Sequence, residues 1–334
     1  MFKAVGNHDA VLAKLQAHLE GGESAFLCMV GDNSDHSPGT RGAKIFVRPD
    51  GTIEGTIGGG IMEGELMARG VELLGADAVF EPTYETLFHR KKGPGKKSGL
   101  GCAGEQTNVY MIVDPARDLE VVRAIARRVA ADEAGLLCID RSGLSLAEED
   151  VLNREIAPVR LKVDGESWRL EAQLLNWKRA AIFGGGHCAL ALSRVLKNLG
   201  YTVSVFDTRA DVFTFTGNTH ARHRVAVDDF ADAGAQVRYP EMTHAIVMTK
   251  GLPADVRALL GLIERPFPYI GVMGSPAKLA KIRRKLIDAG FNKSVFDKVR
   301  APIGLPMTSN TPEEIAISIA GELLAERKAL FPMV

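Results

Sequence analysis

Residues 180–189 read AAIFGGGHCA, and they decide how the second half of the chain folds. Gly184 and Gly186 fall between a predicted strand and a helix that begins at His187, in the pattern G-x-G-x-x-A. A second predicted strand ends at Asp207, which lies 23 residues after Gly184. This spacing is typical of a dinucleotide-type strand–turn–helix–strand unit.

Strands and helices alternate on both sides of this turn, which predicts a parallel, doubly wound sheet. We therefore expect a Rossmann-like α/β domain over residues 179–334. The predicted strands are Ala180–Phe183, Thr202–Phe206, Ala245–Met248 and Tyr269–Met273. The predicted helices are His187–Leu199, Ala254–Glu264, Ala277–Asp288 and Pro312–Lys328, the last with a capping box from Thr311 to Glu314.

The glycine turn has the features of a cofactor-binding site. Gly184 permits a tight turn, Gly186 lets the backbone approach a phosphate, and the helix N-terminus offers N–H groups to an anion. Asp207 is a candidate acceptor for a ribose diol. His187 is a candidate phosphate contact, although a histidine there is more often a cap or a packing residue. The alternative is a tight turn that binds no nucleotide.

The first 175 residues predict an α+β domain rather than a repeat of the alternating pattern. The predicted helices are Asn7–Leu19, Ile61–Leu74 and Leu119–Ala131, and the predicted strands are Ser24–Val30, Ala43–Val47, Thr52–Ile57, Glu85–His89, Thr107–Val113 and Leu136–Asp140. Pro49-Asp50-Gly51 makes a hairpin of two of them. Residues 141–178 are interpreted as the end of this domain and a linker, with a short acidic helix near Leu146–Val151.

A second glycine turn lies in the first domain, where residues 56–65 read TIGGGIMEGE. Gly58, Gly59 and Gly60 between a strand and a helix make a candidate anion cradle. Glu63, in the first helical turn, is a candidate cofactor-binding residue, and the alternative is that its charge only stabilises the helix end.

Cys102 lies among glycines in residues 99–105, GLGCAGE. The lysines at 91, 92, 96 and 97 would favour its thiolate, which is the reactive and metal-binding form. It is therefore a candidate for cofactor or sulfur handling and for metal ligation, against the alternative of an inert thiol in a solvated loop. Cys28 and Cys138 lie on apolar strands and are expected in the core, and Cys188 is expected to pack.

Composition excludes several classes of function. Lys plus Arg and Asp plus Glu both number 41, so the formal net charge is zero and we expect neither nucleic acid nor an anionic membrane as a partner. No apolar run reaches the ~18 residues that a transmembrane helix needs. Residues 1–31 lack a signal-peptide pattern, and four widely spaced cysteines suit a reduced, cytoplasmic protein.

With these motifs in view, the chain resembles the XdhC/CoxI family of xanthine dehydrogenase accessory proteins. The resemblance runs through residues 37–47, 55–65 and 99–105 of the first domain and residues 180–192, 203–209, 269–275 and 301–324 of the second. It departs from the family at residues 249–253, TKGLP, where many members carry a histidine-rich motif; here the nearest histidine, His244, is expected just before the strand.

The resemblance implies a chaperone that binds molybdenum cofactor (molybdopterin), assists its sulfuration by a cysteine desulfurase, and inserts it into an apo-xanthine dehydrogenase-type enzyme. It implies Cys102, the Gly58–Gly60 turn and Glu63 as the leading positions, with a homodimer as a further expectation. The alternative is an NAD(P)-dependent oxidoreductase that uses Gly184, Gly186 and Asp207. A third possibility is a scaffold that only docks partner enzymes.

Overall fold

The computed structural model of the chain describes residues 8–34, 36–76, 79–88, 96–97, 104–147 and 157–330. The described residues form two compact units, one up to Leu175 and the other from Asn176 onward. Each unit is built around its own buried core.

Unit 1 is an α+β unit with two antiparallel sheets. Its helices are α1 (His8–Glu20), α2 (Ile61–Gly75) and α3 (Pro115–Ala131). Its strands are β1 (Ala25–Asn33), β2 (Lys44–Val47), β3 (Ile53–Gly55), β4 (Thr83–Phe88), β5 (Lys96–Lys97), β6 (Glu105–Val113), β7 (Leu136–Asp140), β8 (Gly143–Ala147), β9 (Val159–Asp164) and β10 (Ser167–Gln173).

The larger sheet of unit 1 has the strand order β3-β2-β1-β6-β4-β5, and its neighbours pair antiparallel except for the short β4–β5 pair. The predicted hairpin is confirmed, because Val47 pairs with Ile53 and Ile45 with Gly55. One sheet face packs under α2. The opposite face shares a core with α1, α3 and the second sheet, whose order is β8-β7-β10-β9.

Residues 141–178, interpreted from the sequence as the end of the first domain and a linker, contain more regular structure than that interpretation gave them. This stretch supplies β8, β9 and β10, and Trp168 and Leu170 on β10 are buried. The helix predicted near Leu146 was wrong in its described part, since Leu146 and Ala147 complete β8. The apolar side chains of this stretch alternate with polar ones, and the second sheet buries them on one face.

Unit 2 confirms the predicted Rossmann-like α/β fold. Its strands are β11 (Arg179–Phe183), β12 (Thr202–Asp207), β13 (His223–Ala226), β14 (Thr243–Val247), β15 (Tyr269–Val272) and β16 (Val299–Arg300). Its helices are α4 (His187–Asn198), α5 (Phe213–Thr216), α6 (Phe230–Ala233), α7 (Leu252–Leu262), α8 (Pro276–Asp288), α9 (Pro312–Ala325) and α10 (Arg327–Leu330).

The sheet of unit 2 is parallel throughout, in the order β13-β12-β11-β14-β15-β16. The strand order reverses beside β11, so the crevice at the carboxyl ends of β11 and β14 is the expected ligand position of such a fold. The capping box at the start of α9 is confirmed: Thr311 accepts from the N–H of Glu314, and Glu314 accepts from the N–H of Thr311.

Candidate functional site

The first-domain motifs meet at a buried amide, the side chain of Gln106 at the start of β6. Its Oε1 accepts from the backbone N–H of Gly39 at 3.1 Å and from the Ser37 hydroxyl at 3.0 Å. Its Nε2 donates to the carbonyl of Ile57 at 3.2 Å. One side chain, which is 0% exposed, therefore joins the loop of residues 37–42 to the glycine turn.

The end of the GLGCAGE segment joins the same cluster. Ser34 and Glu105 form two bonds, since the Ser34 N–H donates to the Glu105 carbonyl and the Glu105 N–H donates to the Ser34 hydroxyl. A Cβ on Gly104 would lie 2.6 Å from the Ser37 nitrogen, which real contacts do not allow. Gly104 and Glu105 are thus held against Ser34 and Ser37.

Glycine is needed at two further positions of this cluster because backbone segments touch there. A Cβ on Gly39 would lie 2.3 Å from the Ile57 carbonyl oxygen and 2.4 Å from Gln106 Oε1. A Cβ on Gly58 would lie 2.8 Å from the Gly39 nitrogen, and its φ of 123° is also one that L side chains rarely adopt. The two motifs are packed backbone to backbone.

At the three-glycine turn, predicted as an anion cradle, a carboxylate of the protein itself accepts from the backbone N–H groups. Glu63 Oε1 accepts from the N–H groups of Ile57 and Gly59, both at 2.9 Å, and from the Thr56 hydroxyl at 2.6 Å. Gly60 caps α2 without a side chain. The N–H groups that face Glu63 are therefore satisfied, and the binding of an anion at the N-terminus of α2 stays a prediction.

Cys102, the predicted catalytic and metal-ligating candidate, lies outside the described residues, as do Lys91 and Lys92. Cys28 and Cys138 are buried, as expected, and Cys188 is partly exposed. Burial raises the pKa of the Cys28 thiol and outweighs the opposing field of Arg69, so Cys28 stays a neutral core thiol. Among the described residues no group of three or more His, Cys, Asp and Glu side chains is placed to hold a metal ion.

Two cations near the hairpin have partners within the protein. Arg41 forms an ion pair with Asp32 at 2.6 Å, and both side chains are substantially exposed. Lys44 is buried and donates to the Gly42 carbonyl at 3.1 Å. Lys44 therefore supports the hairpin, whereas Arg41 keeps its exposure to solvent.

In unit 2 the glycine turn has the expected shape. Gly184 has a φ of 110°, and a Cβ there would lie 2.5 Å from the Met248 carbonyl oxygen. Gly186 begins α4 with nothing within 4 Å of a Cβ position, and His187 is exposed beside it. Gly186 and His187 thus face solvent at the N-terminus of α4.

Asp207 has a different environment from the one that a ribose-binding acid needs. It is 0% exposed and ends β12. Its Oδ2 accepts from the Gly185 N–H at 2.6 Å and Arg209 Nη2 at 2.8 Å; its Oδ1 accepts from the Arg209 N–H at 2.8 Å and Nε at 2.9 Å. These four bonds fill the acceptor positions of a carboxylate.

The electrostatics of this pair follow from those bonds. Burial alone would raise the pKa of Asp207, but the Arg209 guanidinium and the two backbone N–H groups outweigh it and hold the pKa below its ordinary value. Asp207 therefore stays ionised and ties the glycine turn to Arg209.

Phe215 covers the same turn. A Cβ on Gly185 would lie 2.9 Å from the Phe215 ring, and the Thr214 hydroxyl donates to the Gly185 carbonyl at 2.5 Å. Both residues belong to α5, which was not predicted from the sequence. The segment after β12 packs onto the glycine turn.

His244 was expected just before the predicted strand Ala245–Met248, but it lies within the strand observed there, β14. His244 is the second residue of β14 and is 1% exposed, with its Nδ1 3.0 Å from the Arg179 carbonyl oxygen. Burial lowers its pKa to about 4 despite that hydrogen bond. His244 is a neutral core residue between the rings of Tyr201 and Tyr269.

The buried Gln106–Asn108–Tyr110 column on β6 was missed by sequence reasoning. Gln106 Nε2 donates to Asn108 Oδ1 at 2.8 Å, and Asn108 Nδ2 donates to the Tyr110 hydroxyl at 3.2 Å. The signal was two amides at alternate positions of an otherwise apolar strand, QTNVYMIV, on the face that points into the core.

Comparisons with known proteins match both units. The sequence profile of the XdhC Rossmann domain matches residues 181–323, and that of the XdhC and CoxI family matches residues 18–81. Together these regions cover more than half of the chain. Within the described residues no helix is long and apolar enough to cross a membrane.

Relatives extend the match along the chain. It is 21% identical to the molybdenum cofactor insertion chaperone PaoD of Escherichia coli, over 96% of this chain and 89% of that protein. It is 22% identical to a Bacillus subtilis protein named a probable xanthine dehydrogenase subunit, over 94% of this chain and 96% of that protein. It is 24% identical to the E. coli protein YqeB, but spans only 40% of its length.

A solved structure shows the same fold. A Bacillus halodurans protein described as a xanthine dehydrogenase superposes with a TM-score of 0.70 at 20% identity, covering 95% of this chain and 96% of that one. The class defined by fold and motifs is a two-part protein with a C-terminal Rossmann domain. The chain belongs to the XdhC and CoxI family.

Proposed function

We propose that this chain binds molybdenum cofactor and assists its insertion into a xanthine dehydrogenase-type enzyme. The observation that supports this most is the cluster around Gln106, which brings three first-domain motifs to one end of the larger sheet. A near full-length relative is named a molybdenum cofactor insertion chaperone. In this proposal the cofactor is cargo.

The residues of the cluster suit an anionic cargo with a metal. The N-terminus of α2, capped by Gly60 without a side chain, would face its phosphate. Glu63 would hold the turn in shape through Thr56, Ile57 and Gly59 rather than contact the anion, because like charges repel. Cys102, four residues before Gln106, would supply the thiolate that ligates molybdenum or lies beside the incoming sulfur.

Partners follow from the same proposal. An apo-xanthine dehydrogenase-type enzyme would receive the cofactor, and a cysteine desulfurase would supply sulfur to it before transfer. A homodimer is a further element of the proposal, and sedimentation of the purified chain tests it directly. A cytoplasmic location, expected from the sequence, is also part of the proposal.

The NAD(P)-dependent oxidoreductase is less well supported by the geometry. Asp207, the acid that would bind the ribose hydroxyls, already accepts four bonds from Gly185 and Arg209. A dinucleotide would have to break this buried ion pair before it could use the acid. Gly184, Gly186 and His187 remain proposals as contacts for an anionic group at the start of α4.

The test is equilibrium binding of molybdenum cofactor to the full chain, with NAD and NADP as parallel ligands. We expect cofactor binding by the wild type, weakened at least about tenfold in Cys102→Ser if a metal–thiolate contact is lost. Cys188→Ser is the matched control, because Cys188 is a partly exposed thiol in the other unit.

Delivery to the client is measured in the same preparations. Wild-type chain loaded with cofactor should activate apo-xanthine dehydrogenase, and Cys102→Ser should not. Binding of NAD alone, equal in wild type and Cys102→Ser, would contradict the chaperone proposal and move the function to unit 2. Client binding with no small-molecule affinity would favour a docking scaffold.

A further inference from the structure

A cavity of about 170 Å³ lies in unit 1 between α2, β4 and β6, next to the glycine turn. Its apolar walls include Leu66 on α2 and Leu87 on β4, and Asn108 and Tyr110 on β6 provide a polar floor. Both polar residues are almost fully buried. Apolar walls with a few convergent polar groups are characteristic of small-molecule sites.

The direction of the hydrogen bonds that reach this floor is fixed by the backbone. The Gly39 N–H can only donate, so the Gln106 atom beside it is the oxygen; the Ile57 carbonyl can only accept, so the atom beside that is the nitrogen. Because Gln106 Nε2 can only donate, the Asn108 atom that it contacts is the amide oxygen, Oδ1. The Asn108 nitrogen is left to donate to Tyr110.

Tyr110 is therefore the end of a one-way chain of donors. Its hydroxyl oxygen accepts from Asn108, and its own proton has no acceptor among the described residues. Burial raises the pKa of this hydroxyl above its ordinary value, so the proton is retained at neutral pH. A buried donor without an acceptor is costly, which makes it a place for a ligand oxygen.

The rim of the cavity carries charges of both signs. Glu65 and Glu85 contribute carboxylates, and Arg69 lies with its guanidinium carbon 4.8 Å from the centre of the Tyr110 ring. Arg69 Nη1 is 3.8 Å from Glu85 Oε2. The site thus presents a hydrogen-bond donor at its floor and hydrogen-bond acceptors at its mouth.

We propose that this cavity binds the edge of a planar amino-oxo nitrogen heterocycle. The ring carbonyl accepts from the Tyr110 hydroxyl, and the amino group and ring N–H donate to the carboxylates of Glu65 and Glu85. Pterins and guanine share this edge. The choice of a pterin rests on the proposed function, since the cargo proposed above carries one.

The size of the cavity agrees with one small ring system. An engineered cavity of about 150 Å³ holds benzene, so about 170 Å³ open at the rim accommodates a fused pair of small rings but not a dinucleotide. The remainder of a longer ligand would extend out past the rim.

The experiment titrates the full chain with 2-amino-4-oxopteridine and follows its fluorescence. Lumazine, which carries a second carbonyl in place of the amino group, tests the carboxylate contacts, and guanine tests the other source of the same edge. Tyr110→Phe removes the hydroxyl, and with it both the donor into the cavity and the acceptor for Asn108 Nδ2. Tyr84→Phe is the matched control, because Tyr84 is on the neighbouring β4 but packs edge-on against Trp168 on the other sheet face.

We expect wild type to bind the pteridine, Tyr110→Phe to bind it about tenfold more weakly, and Tyr84→Phe to match wild type. Glu65→Gln should weaken it about threefold, while Glu72→Gln, on the exposed side of α2, should not. Lumazine should bind more weakly than the pteridine. Guanine equal to the pteridine at a Tyr110-dependent site would support the ligand class and assign it to a purine.

The proposal is overturned if wild type does not bind the pteridine, or if Tyr110→Phe binds it as well as wild type does. Client activation by cofactor-loaded chain separates this from the proposed function. Activation that persists in Tyr110→Phe with unchanged cofactor affinity overturns the cavity proposal alone. Tyr110-dependent pteridine binding in a wild-type chain that never activates the client supports the cavity and contradicts the chaperone function.

Discussion

The carboxylate of Asp207 holds the glycine turn of unit 2 through the N–H of Gly185, at 2.6 Å, on one of its oxygens. The position is the one where dinucleotide-binding folds place a ribose acceptor. Here the acid and Arg209 form a two-bond ion pair beneath the turn. The spacing of the motif is retained, and the acid has a structural role.

Asp207→Asn should therefore destabilise unit 2. An amide keeps one acceptor oxygen, but it places an NH2 group against N–H donors and loses the ion pair. We expect a loss of about 2 kcal/mol in the free energy of unfolding, discounted because the Arg209 side chain is 37% exposed. Asp211→Asn, an exposed acid near the same arginine, is the control.

The measurement uses the two tryptophans of the chain, one in each unit: Trp168 in unit 1 and Trp177 in unit 2. In a Trp168→Phe background, urea unfolding followed by fluorescence reports on unit 2. An equal midpoint for Asp207→Asn and Asp211→Asn would show that the ion pair contributes no stability.

Acid should destabilise unit 2 through His244. Its pKa falls from 6.5 in the ordinary state to about 4 in the folded protein, because burial disfavours the imidazolium. The folded state thus binds fewer protons than the unfolded state between these values. The contribution of His244 to the free energy of unfolding of unit 2 is therefore fully present above pH 6.5. It decreases as the pH falls from 6.5 towards 4, by on the order of 3 kcal/mol in all.

His244→Phe removes the titrating group while keeping a ring between Tyr201 and Tyr269. The dependence of unfolding free energy on pH from 6.5 to 4 should become shallower, in the same Trp168→Phe background. His187→Gln, at an exposed histidine, should leave the slope unchanged. A slope in His244→Phe as steep as that of wild type would assign the acid sensitivity to other groups.

Much of the fold could be predicted from the sequence because its signals are local. The alternation from β11 to α9 and the glycine turn at Gly184 each depend on neighbouring residues, and so does the capping box at Thr311. The short strands β13 and β16 were not predicted. They add to the two edges of the parallel sheet, and their pairing with β12 and β15 is set by tertiary contact.

The site could be predicted in part. The sequence indicated the glycine turn at Gly58–Gly60, but not that Glu63 would turn back to accept from it, since this depends on a side-chain conformation. Gln106 escaped notice because its partners are 49 to 69 residues away in the chain. Such bonds exist only once β6, the 37–42 loop and the turn are packed together.

Glu63→Ala should destabilise unit 1 by about 1–2 kcal/mol, because it leaves the N–H groups of Ile57 and Gly59 and the Thr56 hydroxyl without their acceptor. Glu63→Gln keeps an acceptor oxygen and should lose less. Glu65→Ala, two residues along α2 and exposed, should stay within about 0.5 kcal/mol of wild type. Urea unfolding in a Trp177→Phe background measures all three, and equal losses for Glu63→Ala and Glu65→Ala would contradict the role given to Glu63.

The contact between Gly39 and the glycine turn gives a matched pair of substitutions. Gly39→Ala would force a methyl group to within 2.3 Å of the Ile57 carbonyl oxygen and 2.4 Å of Gln106 Oε1. The two backbones would have to separate and break the bonds of Gln106, so we expect a loss of about 2–4 kcal/mol. Gly64→Ala adds the same methyl group on α2 where nothing lies within 4 Å.

In a helix, alanine is favoured over glycine, so Gly64→Ala should stabilise unit 1 by up to about 1 kcal/mol. The two variants are compared by unfolding in the Trp177→Phe background and by cofactor binding in the native protein. Gly39→Ala should lose affinity because the motifs around Gln106 move apart, and Gly64→Ala should keep it. If Gly39→Ala retains both stability and affinity, the backbone contact between the 37–42 loop and the glycine turn does not form the site.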